Sequence, residues 1–514
     1  MKIHLPVLIA IRIIGFLAVF FNCFLGYAQT KTCIPIEGTG KCREFKPLSD
    51  YDLVKLKQLP VLEYNPIQLK TTLPSSIDNS QLPYFRPIWT QSDYCCGQAS
   101  GILYAFTYEI DRLRNLAANV TTNQYPTHFA WDFQNGLEGG TGEGKGVSYL
   151  DSWEILKAAG TPNVQEYGGT PDFGGGSRWI SGYNTYYSAM HNRVSGIYQI
   201  NIRTKESIDV LRNWLYDHMD GSTTGGVACM YVQYTSAYET LTTGTPEAGK
   251  YVLTQWGGSP NHGLVIVGYN DSIRWDYNSD GQFTKNIDLN GDGILDVRDW
   301  EIGGIKVAND FGTGWGNSGF CYVMYKSIAE QPSTGGIWNN TVHVIKVKEN
   351  CNPLLTMKIS IRHTSRFKIK VMAGVSQSLT DTIPAHQLEL PIFRFQGGPH
   401  YMKGGTAVGD QTIEFGLDVT PLLNYINSGQ PAKFFLQVCE NDTSGTDNGE
   451  IISFSLMNYT TGGTEIFCSS SNVTILNNST TTLSIQHNIT FPQININTSS
   501  LPPATLYQPY SQQF

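Results

Sequence analysis

Four residue types in one chain order carry the most chemistry in this 514-residue sequence: Gln91, Cys96, His262 and Asn309. Cys96 abuts Gly97, after which Ala99, Ile102, Leu103, Phe106 and Ile110 follow helical spacing. A cysteine at a helix mouth meets free backbone N–H groups and the positive end of the helix dipole. Both favour the thiolate, the form that acts as nucleophile. Gln91, just upstream, can aim an amide N–H at the oxyanion formed when a thiolate attacks a carbonyl. Such a nucleophile needs a base, and the base needs a partner to orient it. "SPNHGLVIVGYND" puts His262 at the entrance of an apolar strand, Leu264 to Val267. "IKVANDFGTGWGNSGFCYVMY" puts Asn309 at the end of another, where its side-chain carbonyl can hold an imidazole in one tautomer. Phe311 or Trp315 would shield that hydrogen bond from water. Cys95 stands as the alternative nucleophile, and a vicinal Cys95–Cys96 disulfide as a third state. Cys96 is preferred because it touches the glycine and the helix.

These residues need a scaffold. From Leu73 to about Glu349 helical patterns alternate with short strands and glycine turns; "GGVACMYVQYT" reads as a buried strand behind the cleft, with Cys229 in the core. The aromatic run "RWISGYNTYYSAMHNR" reads either as cleft lining or as packing. After Cys351 the texture changes to segments such as "TMKISIRH", "FKIKVMA" and "KFFLQVC", which alternate apolar and polar residues between turn residues. That pattern predicts an antiparallel β-sandwich, jelly-roll or Ig-like.

Together, "NHGLVIVGYND", "NDFGTGWGNSGF" and the order Gln, Cys, His, Asn resemble the papain-like cysteine peptidases. Their matching segments read roughly N-H-A-hydrophobic-hydrophobic-x-V-G-Y and N-S-W-G-x-x-W-G-x-x-G-Y/F. "LPSSID" resembles the start of the mature enzyme in that family, and "VSYLDSWEILKAAG" its second-helix region. The resemblance implies a two-lobed α+β catalytic domain and peptide-bond hydrolysis through an acyl-enzyme thioester. Cys96 would attack, His262 act as base, Asn309 orient it, and Gln91 serve the oxyanion hole. The family's C-G-S-C-W-A-F is replaced by Tyr94-Cys95-Cys96-Gly97-Gln98-Ala99-Ser100, and its Asn-Ser-Trp by Asn309-Asp310-Phe311. Protein or peptide substrates follow, and no cofactor is needed for the chemistry.

Between the histidine and the asparagine lies "WDYNSDGQFTKNIDLNGDGILDVRDWEIGG". Asp288, Asn290, Asp292, Asp296 and Asp299 take alternating positions of a calcium loop, with Gly293 at its turn and the Ile294 carbonyl available. Asp276, Asn278, Asp280 and Thr284 form a weaker first loop. The two abut, so no helix separates them, and the expectation is a structural Ca2+ ion. The alternative is an acidic turn cluster without metal.

Lys2 and Arg12 precede an apolar stretch from Ile13 to Phe21, and Gly26-Tyr27-Ala28 supplies small residues for cleavage. This reads as a signal peptide over 1–28, and hence as a secreted or cell-surface protein. Removing it takes away Cys23 of the ten cysteines and leaves an odd number, which suggests a free thiol; Cys33 and Cys42 are close enough to pair. No later stretch is apolar enough to cross a membrane. A net charge of −8, without a dense Lys/Arg run, argues against nucleic acid as partner. The domain reading is then a lead-in or short propeptide over 29–72, a peptidase domain over 73–350 with its insertion at 274–301, and a β-sandwich over 351–495. Residues 496–514 read as a linker or as the first strand of a further Ig-like module, in which case the native chain continues. The sandwich offers a possible cell-surface or carbohydrate contact. The rival function is a calcium-dependent surface adhesin or binding protein on a catalytically inactive papain-like scaffold.

Overall fold

The computed structural model describes residues 50–64, 69–91, 94–134, 146–170, 178–234, 238–405, 407–443 and 445–492. The leader over 1–28, Cys33, Cys42 and the segment 496–514 lie outside them. All described residues belong to one compact unit, Phe45–Phe514. None of its helices is long and apolar enough to cross a membrane.

A buried helical rod begins at Cys96. The turn Cys96–Gln98 runs into a π-helical stretch, Ala99–Phe106, and then into the α-helix Thr107–Arg114. Asn115 ends it in the left-handed region at φ 53°, its N–H donating to the carbonyls of Arg112 and Asp111. That is the ordinary way a helix satisfies its last carbonyls. Ile102, Leu103, Phe106 and Ile110 are fully buried.

The rod packs on a nine-stranded sheet. Its central strand, His262–Arg274, is buried without break from His262 through Asn270, as a strand covered on both faces must be. It lies between Ala228–Val232 and Ile302–Ala308. Val232 faces His262 and Ala308 faces Val265, so the strand ends leading to His262 and Asn309 are side by side. Residues 275–301 form the excursion between these two strands. Upstream, the helix Asp50–Gln58 and the residues after it strap the outer strand Val194–Asn201. Leu62 N–H donates to the Gln199 carbonyl, and the Gln199 side chain donates to the carbonyls of Leu56 and Leu59.

Beyond Leu355 the chain forms two antiparallel sheets. One holds Thr412–Asp418, Leu355–His363, Gly449–Asn458 and Thr464–Phe467, with Val473–Thr474 attached; the other holds His386–Arg394, Ile369–Ser376, Pro431–Glu440 and Thr480–Asn488. Met357, Ile359 and Ile361 from the first and Ile369, Val371 and Val375 from the second join a single apolar cluster. The same cluster includes Ile102, Leu103 and Phe106 of the rod.

The aromatic run at 178–193 packs here. Tyr183 Oη is 2.6 Å from Thr356 Oγ1, and Tyr187 stacks on Tyr459 at 4.4 Å. Arg193 pairs with Asp418 at 2.7 Å, with both side chains buried. Phe393 is the hub. It sits in a bulge between the pairs Lys370–Arg394 and Met372–Glu389, with φ at +53°, a strained conformation for a bulky residue. Its ring touches Phe133, Trp179, Tyr186 and Phe415 at 3.9–6.0 Å between centroids. Phe393→Ala should therefore cost about 3–5 kcal/mol. Urea unfolding of this variant, followed by tryptophan fluorescence, should show one transition moved to lower urea. Two separated transitions would mean that the C-terminal sheets fold independently of the rod.

Candidate active site

Helix and strand meet at Cys96. Its side chain is buried, and Gly263 of the strand packs against the backbone of Cys96 and Gly97. Gly263 permits the approach: a Cβ there would lie 2.6 Å from Ser100 Oγ and 3.3 Å from the Cys96 carbonyl. Ser100 Oγ in turn donates to the Cys96 and Gly97 carbonyls at 3.0 Å, tightening the first turn. Cys95 precedes the turn as its N-cap and is buried. Cys96, Cys229, Cys321, Cys351, Cys439 and Cys468 are free thiols, so no vicinal Cys95–Cys96 disulfide forms here. Cys229 lies in the core.

The Gly263 contact puts the neighbouring residue, His262, beside the helix mouth. His262 Nε2 is 2.8 Å from Asn309 Oδ1, with both side chains buried. The Asp310 N–H also donates to that Oδ1, at 2.8 Å, so the Asn309 amide is fixed with its oxygen toward the ring. An oxygen can only accept, so Nε2 carries the proton and Nδ1 remains able to accept one. Phe311 lies 4.8 Å from the imidazole, Tyr234 packs edge-on against Phe311 at 4.8 Å, and Trp315 stands behind Phe311 at 6.4 Å. These rings keep water off the His262–Asn309 bond.

Gln91 is held by its backbone. Its N–H donates to the Asp310 carbonyl at 2.7 Å, and Thr90 bridges Phe311. The segment before the helix is thus stitched to the segment after Asn309. Tyr104 adds a second stitch: its hydroxyl accepts the Trp89 N–H at 2.9 Å and donates to the Asn309 carbonyl at 3.3 Å.

Gly263, Ser100, Tyr104 and Tyr234 were missed in the sequence. Gly263 had a visible signal, since it stands where the quoted family motif has alanine. The other three become visible only through packing.

Asp310 changes the electrostatics. Its carboxylate is buried, with Oδ1 3.6 Å from His262 Nε2. Burial pushes the Cys96 thiol well above the ordinary cysteine range, and the Asp310 charge pushes it further; the Gly263 and Gly97 N–H groups oppose both. A thiol so placed ionises readily only by handing its proton to a nearby base.

The residues of the insertion form two loops closed on themselves. Asp288 accepts the N–H groups of Gly291 and Gly293, Asn290 that of Asp292, and Asp292 that of Ile294. Asp276 accepts from Asp280 and Gly281, Asn278 from Asp280, and Asp280 from Gln282. Asp299 is fully buried and accepts from Leu289 and Asp296, so it works as an anchor. Buried Glu301, also missed in the sequence, ties the first loop through the N–H groups of Tyr277 and Thr284. Arg298 bridges Asp292 and Asp296 at 2.7 and 2.6 Å. Among the described residues no three His, Cys, Asp or Glu side chains converge to hold a metal. As arranged, then, the second loop fits calcium only once Arg298 releases its two carboxylates.

No protein-family model and no curated protein matches the chain. Solved structures that match part of the chain include xylellain, a cysteine protease from Xylella fastidiosa. It is 16% identical, with 59% of this chain and 95% of that one covered and a TM-score of 0.38. Procathepsin B S9 from Trypanosoma congolense is 14% identical over 62% and 92%, with a TM-score of 0.36. Procathepsin L2 from Tenebrio molitor larval midgut is 14% identical over 57% and 75%, with a TM-score of 0.34. The fold neighbours are papain-like cysteine proteases at low identity and partial coverage. Values this low do not bear on which residues react.

Made on a His262→Ala background, where no imidazolium opposes the effect, Asp310→Asn should preserve the shape of the site and remove the charge. The thiol would then titrate at lower pH, because a like charge has been taken from beside the thiolate. The rate of alkylation by iodoacetamide against pH reads this directly. A midpoint that stayed put or rose would show that Asp310 does not act on Cys96.

Proposed function

We propose that this chain is a secreted cysteine endopeptidase hydrolysing peptide bonds through Cys96, His262 and Asn309. The observation that carries the reading is one geometry. Gly263 packs on the first turn of the helix, where a Cβ would lie 3.3 Å from the Cys96 carbonyl and 3.5 Å from Gly97 Cα, while the preceding residue, His262, turns Nε2 to Asn309 Oδ1 at 2.8 Å. With that nitrogen occupied, Nδ1 is the base that takes the thiol proton. The thiolate attacks the substrate carbonyl, and the oxyanion meets the N–H groups at the helix mouth together with the Gln91 amide. His262 then returns the proton to the leaving amine. Water, deprotonated by the same imidazole, attacks the thioester and frees the acid product. Asn309 holds the ring in one tautomer throughout, and Asp310 favours the state in which the ring is charged.

In this reading the strands from Leu355 onward form a β-sandwich joined to the peptidase, with residues 351–495 as its extent. The signal-like start supports secretion. The shared core around Phe393 favours a part that props the peptidase over one that acts as a separate adhesin. A carbohydrate or surface contact has no observation in its favour.

Two experiments test the proposal. An epoxide thiol inhibitor should label one peptide, the one holding Cys95 and Cys96, and Cys96→Ala should abolish the label in mass spectra. Cys96→Ala that still labels at Cys95 would move the nucleophile, and a reduced protein that takes no label would favour the binding-protein alternative.

Calcium enters the proposal as a stabiliser of the insertion that links His262 to Asn309, outside the chemistry. When bound, it would draw on Asp288, Asn290, Asp292 and the Ile294 carbonyl, with Asp276, Asn278, Asp280 and Thr284 as the weaker set. Asp292 and Asp296 become available to it only once Arg298 leaves. Calcium should raise Tm, EDTA should lower Tm and activity together, and Arg298→Gln should enlarge the calcium response by freeing Asp292 and Asp296. Tm and activity indifferent to both reagents would reject the metal.

A further inference from the structure

Apart from the catalytic residues, a guanidinium is buried without a counter-charge. Arg86 is 7% exposed, and its Nε and Nη1 are enclosed without a hydrogen-bond partner. Among the described residues no carboxylate pairs with it. Burial draws it down only to about 10, with the Tyr104 hydroxyl opposing, so it stays charged at neutral pH. An unpaired buried charge is among the costliest arrangements in a protein, and ordinarily a partner is supplied.

Arg86 also lines a cavity of about 350 Å³. The wall is mainly apolar: Phe85, Ile88, Ala117 and Phe320 face it, and Ser80 and Asn119 add polar groups. The other cation nearby is already matched, since Lys306 binds Asp78 at 2.6 Å and lies over Phe320 at 4.3 Å. Arg86 is therefore the uncompensated charge of the cavity.

We propose that this cavity is a binding site for a small organic carboxylate with an apolar body, the anion pairing with Arg86 and the body resting on the Phe85–Phe320 wall. A carboxylate in the cavity would meet the guanidinium at Nη2, the one nitrogen that is not enclosed. The apolar wall disfavours a bare inorganic ion. Such a ligand is either a free acid or the C-terminus of a peptide ending in an apolar residue. The cavity shares no residue with Cys96, His262 or Asn309, so the inference stands whether or not the chain is a peptidase.

The test is thermal unfolding of the full chain with four probes: N-acetyl-leucine, 4-methylpentanoate, N-acetyl-leucinamide and chloride. Binding to the folded state alone raises Tm. Both acids should raise it by about 2 °C, while the uncharged amide and chloride leave it unchanged. A shift with N-acetyl-leucine alone still supports the site and assigns it to a peptide C-terminus; a shift with 4-methylpentanoate alone supports it as a free-acid site. Arg86→Met should abolish the shift and, without ligand, melt no lower than the parent. Equal shifts from acid and amide, an effect of chloride matching the acids, or no shift at all would overturn the proposal. The acid–amide comparison on the parent chain decides even if Arg86→Met fails to fold.

Discussion

The close contact between the mouth of the Cys96 rod and the first residues of the His262 strand is the constraint from which the site follows. With hydrogen alone as its side chain, Gly263 leaves room for Ser100 and lets the strand close on the backbone of Cys96 and Gly97. His262 is then beside Cys96 by chain connectivity. Asn309 is beside His262 by sheet register, since Ala308 pairs with Val265. The Trp89–Gln91 and Asp310–Gly312 segments close the ring from the other side. Few of these contacts are strong singly; their joint effect is to fix one imidazole tautomer next to one thiol.

The surrounding charge makes the imidazole indispensable. In a dry site with Asp310 nearby, the thiol resists ionising on its own. In the proposed mechanism the pair Cys96–His262 separates charge, with Asn309 Oδ1 at 2.8 Å and the Asp310 carboxylate at 3.6 Å from the ring nitrogen that would share the positive charge. A helix terminus alone would be a weak substitute. The adjacent cysteine, Cys95, stands at the N-cap position one residue before the turn.

Much of this was legible in the sequence, for reasons that can be named. The apolar run after His262 reads as a strand covered on both faces, and the spacing after Gly97 as a helix, which the fold buries on every side from Cys95 to Asp111. What the sequence hid depends on three-dimensional neighbours. The π-helical stretch at Ala99–Phe106 departs from the spacing that local pattern predicts. The aromatic run at 178–193 read equally well as cleft or packing, and the partners that decide it, Thr356, Phe393 and Tyr459, are far along the chain. Asp292 and Asp296 matched a metal loop in spacing alone. Pattern gave no warning that Arg298, itself within the loop, turns back to hold both. Arg86 carried no motif, and only the absence of a paired carboxylate among the described residues brings it to notice.

The central claim is that Cys96 ionises by way of His262. The most direct measurement is the ultraviolet absorbance of the thiolate, taken as the difference between the parent chain and Cys96→Ala across pH. The account predicts a thiolate signal at neutral pH in the parent that disappears in His262→Ala and returns only under alkaline conditions. A neutral-pH signal of equal size in His262→Ala would contradict it, because Cys96 would then ionise without its base.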